Sequence, residues 1–160
     1  MNFMFKNYLY IMRLTFFKKN LNRIFQQIYS KNIYLNGKIV EFGASKNSSK
    51  SFINFLNISD KENVVFADKQ NDQNLKSKKE DLEKKLSFED NSIDSVVIFN
   101  VLEHVYDPDN AFKEINRSLK SNGKIVGSTP FIHRVHYAPE DFNRYTKQFL
   151  KKILLKNNFK

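Results

Sequence analysis

The segment from residue 88 to residue 108 constrains the fold of this chain more than any other. It begins with FEDNSID, a polar stretch typical of a turn. The run SVVIF at 95–99 is short, β-branched and apolar, and it predicts a strand buried on both faces. Residues 100–104 then add an amide, a carboxylate and an imidazole. Because ligands bind beyond the carboxyl ends of strands in open α/β sheets, these side chains form either a binding site or an ordinary exit loop.

Other apolar runs predict three more strands, at 38–42, 63–67 and 124–128. A further strand is expected to end near Asp81-Leu82 in a very polar stretch, at the sheet edge, where lysines and acids are tolerated. Apolar residues at helical spacing, with capping residues before them, predict helices between and after these strands. These helices lie at about 48–56, 107–119 and 146–156. Strands that alternate with helices through short crossovers favour a parallel sheet of α/β type.

The net charge of +10 is concentrated at the two ends of the chain. Residues 1–40 carry seven Lys or Arg and no acid, and residues 147–160 carry five Lys and no acid. Basic ends can dock on anionic lipid or nucleic acid, or they can be solvated faces. Nothing resembles a nucleic-acid-binding motif, so we expect no nucleic-acid partner. The absence of cysteine excludes disulfides and thiolate chemistry and is consistent with a cytoplasmic protein.

The first 35 residues predict a basic, amphipathic helical segment that precedes a domain at 36–160. Its apolar residues recur at helical spacing at Leu14, Phe17, Leu21, Ile24, Phe25 and Ile28. Lys6 and Arg13 interrupt the apolar run before it reaches the length of a membrane span. Two interpretations remain open: a helix packed on the domain, or a helix that makes peripheral contact with a membrane or a partner.

The central segment resembles the signature of a known family. FEDNSID at 88–94, the strand, VLEHV at 101–105 and DP at 107–108 are similar to "LPFEDNSFDVVV…VLEHV.DP". This is the pattern of class I S-adenosylmethionine-dependent methyltransferases of the methyltransferase-11 type, and the resemblance extends from about Gly37 to Phe159. It implies a three-layer Rossmann-like sandwich with strand order 3-2-1-4-5. The usual last two strands are missing, so strand five is expected to be an edge that permits self-association.

The resemblance also implies a cofactor, S-adenosyl-L-methionine, and the residues that hold it. The loop EFGASKN at 41–47 is similar to the family's E/D-x-G-x-G-x-G but keeps only its first glycine. An acid at position 68 can accept hydrogen bonds from both ribose hydroxyls, or it can simply cap the strand end. By resemblance, the residues that flank the methionine part and the ribose are Glu41, Gly43, Ala44 and Ser45. The ribose is held by Asp68, and the adenine is flanked by Asp81 and Leu82. Strand four contributes Asn100 and Val101.

Two histidines are candidates for proton transfer. If the methyl acceptor is a hydroxyl, neutral His104 or His136 could take its proton, although His104 could instead only brace its loop. His136 belongs to TPFIHRVHYAPEDFNRYT at 129–146, which resembles the family segment bordering the acceptor pocket. A related branch binds a divalent cation through E-x-x-E-H, but Asn100 replaces the first acid here. Glu103 and His104 alone make a poor site for a hard cation, so we predict no metal.

Methyl transfer from S-adenosyl-L-methionine is therefore the favoured function, with two alternatives. A dehydrogenase would require G-x-G-x-x-G after the first strand, where this chain has one glycine. A non-catalytic Rossmann-like binding or interaction domain is supported by the glycine-poor loop and the missing strands. The acceptor stays open between a small molecule, a lipid and a sugar.

Overall fold

A five-stranded parallel sheet forms the centre of the computed structural model, which describes Tyr8, Met12 and residues 21–44, 51–69, 77–137 and 139–160. The strands are β1 (Tyr34–Leu35), β2 (Ile39–Phe42), β3 (Asn57–Ile58), β4 (Val64–Asp68), β5 (Lys78–Lys79), β6 (Ile93–Phe99) and β7 (Leu119–Ser128). The order in the sheet is β5-β4-β2-β6-β7, and every neighbouring pair is parallel. β1 and β3 form a separate two-stranded sheet. When only the strands of the large sheet are numbered along the chain, their order is 3-2-1-4-5, which confirms the prediction.

Three α-helices are described, and local capping explains where two of them begin. They are α1 (Leu21–Ser30), α2 (Pro108–Ser118) and α3 (Lys147–Lys156). The Asp107 side chain accepts hydrogen bonds from the first backbone N–H groups of α2. The Thr146 hydroxyl accepts one from Phe149 N at the start of α3. None of the helices described here has the length and apolarity needed to cross a membrane.

The core lies on both faces of the sheet because β6 alternates its side chains between them. Val96 and Ile98 pack into a large cluster with α2, Tyr145 and Ile153. Val97 and Phe99 pack on the other face with residues 51–56. All four β6 side chains are buried, which confirms the prediction of a strand covered on both sides.

Three boundaries differ from the predictions. Residues 51–56 form turns instead of the end of a helix, although Phe52, Ile53 and Leu56 are buried against the sheet as expected. β5 ends at Lys79, two residues before the predicted Asp81. β7 begins at Leu119, directly after α2, five residues before the predicted start. Its pairing with β6 is irregular between Leu119 and Lys124, where Asn122 takes the left-handed conformation (φ 66°).

Only the later part of the predicted N-terminal helix lies within the described residues. From Leu21 onwards it is present as α1, with Ile24, Gln27 and Ser30 buried against the rest of the chain. Phe25, which the apolar pattern placed on the inner face, is instead exposed, as is Tyr29 one turn later. The predicted stripe residues Leu14 and Phe17 lie outside the described part of the chain.

We expect the 160-residue chain to associate with itself through β7. Among the described residues, β7 pairs with β6 alone. Ile125 and Val126 are half-buried, whereas their β6 partners Val96 and Val97 are fully buried. An edge with few charges invites pairing with a second strand. Sedimentation velocity over a wide range of protein concentrations should reveal a dimer or larger species.

The opposite result would be a cooperatively melting protein that stays monomeric at every concentration. That outcome would favour the view that residues 132–160 cover the edge, and it would contradict self-association. In the structure, α3 and the residues after it pack towards α2: the Phe159 ring lies 6.1 Å from that of Phe112, and Lys156 pairs with Asp109.

Candidate functional site

The strand order places a crevice between the carboxyl ends of β2 and β6. From β2 the chain builds outwards through β4 to β5, and then returns to add β6 and β7 on the other side. Ligands of open α/β sheets bind at such a reversal of strand order. Gly43 follows β2, Asp68 ends β4 and Asn100 follows β6, so the fold brings these three predicted residues to one edge.

Gly43 must be glycine at this edge for two reasons. Its backbone is left-handed (φ +75°), a conformation that other residues rarely adopt. A Cβ atom at this position would lie 2.3 Å from the Val101 Cγ2 atom, closer than two carbons can approach. The Gly43 N–H donates to the carbonyl oxygen of Ala67 at 2.9 Å, which fixes the turn against β4. The predicted residues Gly43 and Val101 are therefore in direct contact.

Asn100 also adopts a left-handed conformation, with φ 55°. Its backbone N–H donates to the Ser128 carbonyl at 2.8 Å, and its side-chain oxygen accepts from Nε2 of Gln26 at 2.8 Å. The same Gln26 nitrogen lies 2.6 Å from the Ser128 hydroxyl. Sequence reasoning missed Gln26, because nothing in the helical pattern of α1 indicates a contact 74 residues away.

Glu41 is engaged within the protein. It is buried, and its carboxylate accepts hydrogen bonds from the Ser51 hydroxyl at 2.5 Å and the Phe52 N–H at 2.6 Å. Burial raises the pKa of Glu41, and these hydrogen bonds act against that rise. The carboxylate thus ties the far end of the loop after β2 to the strand. Ala44 is buried beside it, and Ser45 lies outside the described residues.

The remaining cofactor candidates lie near β4 and β5. Asp68 is half-buried at the end of β4, and its carbonyl accepts from Glu80 N at 2.8 Å. The Asp81 carboxylate accepts from Glu83 N at 3.1 Å and has the Lys84 ammonium 3.8 Å away. Leu82 is buried in the core cluster beneath α2. Asp68 is consequently near the crevice, whereas Leu82 is committed mainly to the core.

The two candidate histidines are neighbours. The ring centroids of His104 and His136 are 4.9 Å apart. His104 Nδ1 lies 2.8 Å from the carbonyl oxygen of Glu140. Because a carbonyl can only accept, Nδ1 carries the hydrogen, and Nε2 of the neutral ring has a free lone pair. The loop that contains Glu140 is thus fixed to the short 3-10 turn at Leu102–His104.

An ionised carboxylate supports His136. Asp141 has a fully buried side chain that accepts from both terminal nitrogens of Arg144, with Nη2 at 2.6 Å from Oδ2. The Arg144 hydrogen bonds hold the pKa of Asp141 well below its usual range. Oδ2 lies 4.0 Å from Nε2 of His136 and accepts from the His136 backbone N–H at 3.3 Å.

Glu103 is a second buried carboxyl in this cluster. It is 2 % exposed, its Oε1 lies 3.7 Å from His104 Nε2, and its Oε2 has no hydrogen-bond partner. Burial raises the pKa of Glu103 to about 7, and the nearby Asp141 charge adds to the effect. Sequence reasoning considered Glu103 as a possible metal ligand and as one of the polar residues beyond the central strand, but it did not predict its burial. The described residues contain no group of three or more acids and histidines that could hold a metal ion.

A family model described as a methyltransferase domain matches residues 43–127, from Gly43 to Gly127 within β7. The chain belongs to this methyltransferase-domain family. The family uses S-adenosyl-L-methionine as its cofactor, and the glycine turn, Asp68 and Asn100 all lie within the matched segment. No curated protein matches the chain.

Solved structures share the fold at low sequence identity. A chain from the complex of the Haloferax volcanii Trm112 methyltransferase activator with a methyltransferase is 16% identical, with a TM-score of 0.60. The YcgJ protein of Bacillus subtilis is 14% identical, with a TM-score of 0.58. A SAM-dependent methyltransferase of Archaeoglobus fulgidus is 19% identical, with a TM-score of 0.57. The matches cover 82%, 81% and 96% of this chain but 65%, 64% and 69% of those chains, respectively.

Substitution of Gly43 by alanine should destabilise the fold. A left-handed alanine costs about 1–2 kcal/mol, and the new Cβ also collides with Val101. We expect Gly43→Ala to lower the free energy of unfolding, measured by urea denaturation, by at least about 1–2 kcal/mol. Adding Val101→Ala should restore part of the loss, with Val101→Ala alone as the control. Wild-type stability in Gly43→Ala would contradict this account of the turn.

Glu103 should make stability depend on pH near neutrality. The native pKa of about 7 lies above the ordinary 4.5, so the folded protein retains a proton that the unfolded chain releases. The contribution of Glu103 to the free energy of unfolding should therefore fall by up to about 3 kcal/mol as the pH rises through this window.

Glu103→Gln removes this titration while keeping the shape of the protonated side chain. The stability difference between Glu103→Gln and wild type, from urea unfolding at about pH 5 to about pH 8, should grow in favour of the variant. Glu89→Gln, at an exposed acid, is the matched control and should show little change. A Glu103→Gln difference independent of pH would refute the raised pKa.

Proposed function

We propose that this chain binds S-adenosyl-L-methionine at the crevice between β2 and β6 and transfers its methyl group to an acceptor. The observation that carries the proposal is the contact of Gly43 with Val101, beside Asn100, at the reversal of strand order. Because position 43 carries no side chain, the loops after β2 and β6 can meet at this reversal, which is where open α/β sheets bind their ligands. The whole contact lies within the segment matched by the methyltransferase model.

The cofactor supplies an electrophilic methyl group, so the protein has to bind, orient and exclude water. In this proposal the Asp68 carboxylate accepts hydrogen bonds from the ribose hydroxyls. Asp81 and Leu82 flank the adenine, and Gly43 and Ala44 flank the methionine part. Glu41 shapes the loop from behind through its bonds to the 51–52 backbone and side chain. Asn100 and Val101 border the crevice from β6, and Ser45 completes the predicted set.

A hydroxyl acceptor would need a group that takes its proton, and His104 and His136 are the proposed candidates. The free lone pair of His104 lies on Nε2, because Nδ1–H donates to the Glu140 carbonyl. His136 is the more exposed of the two, at 36% against 16%. The Asp141 carboxylate lies 4.0 Å from its Nε2. These features support His136 as the residue that meets the acceptor, with His104 behind it.

Apolar side chains are exposed in the segments that contain these histidines. They are Tyr106, Phe131, Ile132, Val135, Tyr137 and Phe142. The rings of Tyr106 and Phe142 contact each other, with centroids 5.5 Å apart, and exposed apolar side chains near a site favour an apolar ligand. These side chains support an acceptor with a substantial apolar part, such as a lipid or an aromatic small molecule, more than a sugar.

Asp68→Ala should weaken the binding of S-adenosyl-L-methionine. Loss of hydrogen bonds to a charged group costs about 1.5–3 kcal/mol, or more than a tenfold rise in Kd. Isothermal titration calorimetry on the 160-residue protein should show this change, with Glu89→Ala at an exposed acid as the control.

The same titrations test the function itself. Unchanged affinity in folded Asp68→Ala would remove this residue from the ribose site. No heat of binding from the wild-type protein would refute the proposed function. A wild-type protein that binds the cofactor but transfers no methyl group to any acceptor offered would favour the non-catalytic binding domain.

A further inference from the structure

Helix α1 lies beside the carboxyl edge of the sheet at two points. Near its start, the Arg23 guanidinium lies over the Phe52 ring, 3.9 Å from the centroid. One turn later, the Gln26 amide reaches the ends of β6 and β7. Ile24, between them, is completely buried. A helix from outside the 43–127 family match therefore borders the crevice at its β6 side.

The Gln26 amide links the ends of two strands. Its Nε2 donates to the Asn100 side-chain oxygen at 2.8 Å and to the Ser128 hydroxyl at 2.6 Å. Its Oε1 lies 3.4 Å from Nδ2 of Asn100, so the two amides face each other. Both donor hydrogens of the Gln26 amide can thus be used at this edge.

Asn100 needs such support because of its backbone. A non-glycine residue at φ 55° is uncommon and carries strain, although asparagine tolerates it better than most residues. The turn at Asn100 directs the next residue, Val101, against Gly43. Any group that holds Asn100 therefore also holds the wall of the crevice.

We propose that Gln26 is a positioning residue for the binding of S-adenosyl-L-methionine. The Gln26 side chain holds Asn100 in its left-handed conformation and thereby keeps Val101 in place against Gly43. This inference rests on the proposed function, because its ligand is the same cofactor. Gln26 acts through Asn100 and contributes to affinity without supplying a reacting group.

The test uses the 160-residue protein with S-adenosyl-L-methionine and S-adenosylhomocysteine as probes in calorimetry. Gln26→Met keeps the length and helix preference of the side chain but removes its hydrogen bonds. It should weaken both ligands by roughly fivefold to tenfold, the scale of one or two neutral hydrogen bonds. Gln148→Met, at an exposed glutamine of α3, is the matched control and should leave both affinities unchanged.

A second variant separates positioning from simple packing of α1. Asn100→Gly adopts the left-handed backbone without strain and offers no side chain to Gln26. In the Asn100→Gly protein, adding Gln26→Met should change cofactor affinity by less than about twofold, because residue 100 no longer has a side chain that Gln26 could bind. Melting temperatures of all variants show whether each protein is folded when it is titrated.

The outcomes are distinct. A loss of affinity in Gln26→Met that disappears in the Asn100→Gly background supports the proposal. Wild-type affinity in folded Gln26→Met overturns it, and so does an equal loss in both backgrounds, which would indicate an effect independent of Asn100. If the wild-type protein binds neither probe, the proposed function and this inference fall together. If the wild-type protein binds both probes but the Gln26→Met and Asn100→Gly variants do not show the expected changes in affinity, only this inference fails.

Discussion

The close approach of Val101 to Gly43 is the contact on which the rest of the site depends. It joins the loop after β2 to the loop after β6, the two strands between which the strand order reverses. It is possible only because Gly43 lacks a Cβ atom and accepts a left-handed backbone. Val101 is fixed in position because it follows β6, whose side chains are packed on both faces of the sheet and resist movement of the strand.

The buried carboxyl groups at this edge of the sheet differ in pKa because their hydrogen-bonding partners differ. Asp141 and Glu41 are both buried, but Asp141 meets a guanidinium and Glu41 meets a hydroxyl and a backbone N–H. Asp141 is accordingly ionised, with its pKa lowered by Arg144. Glu103 has no such partner on Oε2, and its pKa rises to about 7. Around the histidines, Glu103 is thus the carboxyl whose charge changes near neutral pH.

Local signals in the sequence predicted the sheet and most of the helix starts. The burial of the central strand follows from a pattern within a few residues, whereas the strand order came from the family resemblance, and the structure confirms both. The helix at 48–56 is not present over 51–56, because Glu41 fixes Ser51 and Phe52 through tertiary hydrogen bonds that local propensity does not include. Gln26 and the free oxygen of Glu103 could not be foreseen, since both depend on contacts between distant segments.

The segments that flank the crevice are held differently from its floor. The floor consists of strand ends continuous with the apolar core, whereas the flanks combine a few buried side chains with polar contacts, from Gln26 in α1 and from the loop before α3. In that loop, the Tyr145 hydroxyl donates to Leu102 O and the Asn143 amide to Val105 O. Each such neutral bond contributes about 1 kcal/mol, which is far less than burial of the core side chains contributes together. The polar contacts therefore set where the flanking segments lie, whereas burial of the core side chains supplies most of the stability of the sheet beneath them.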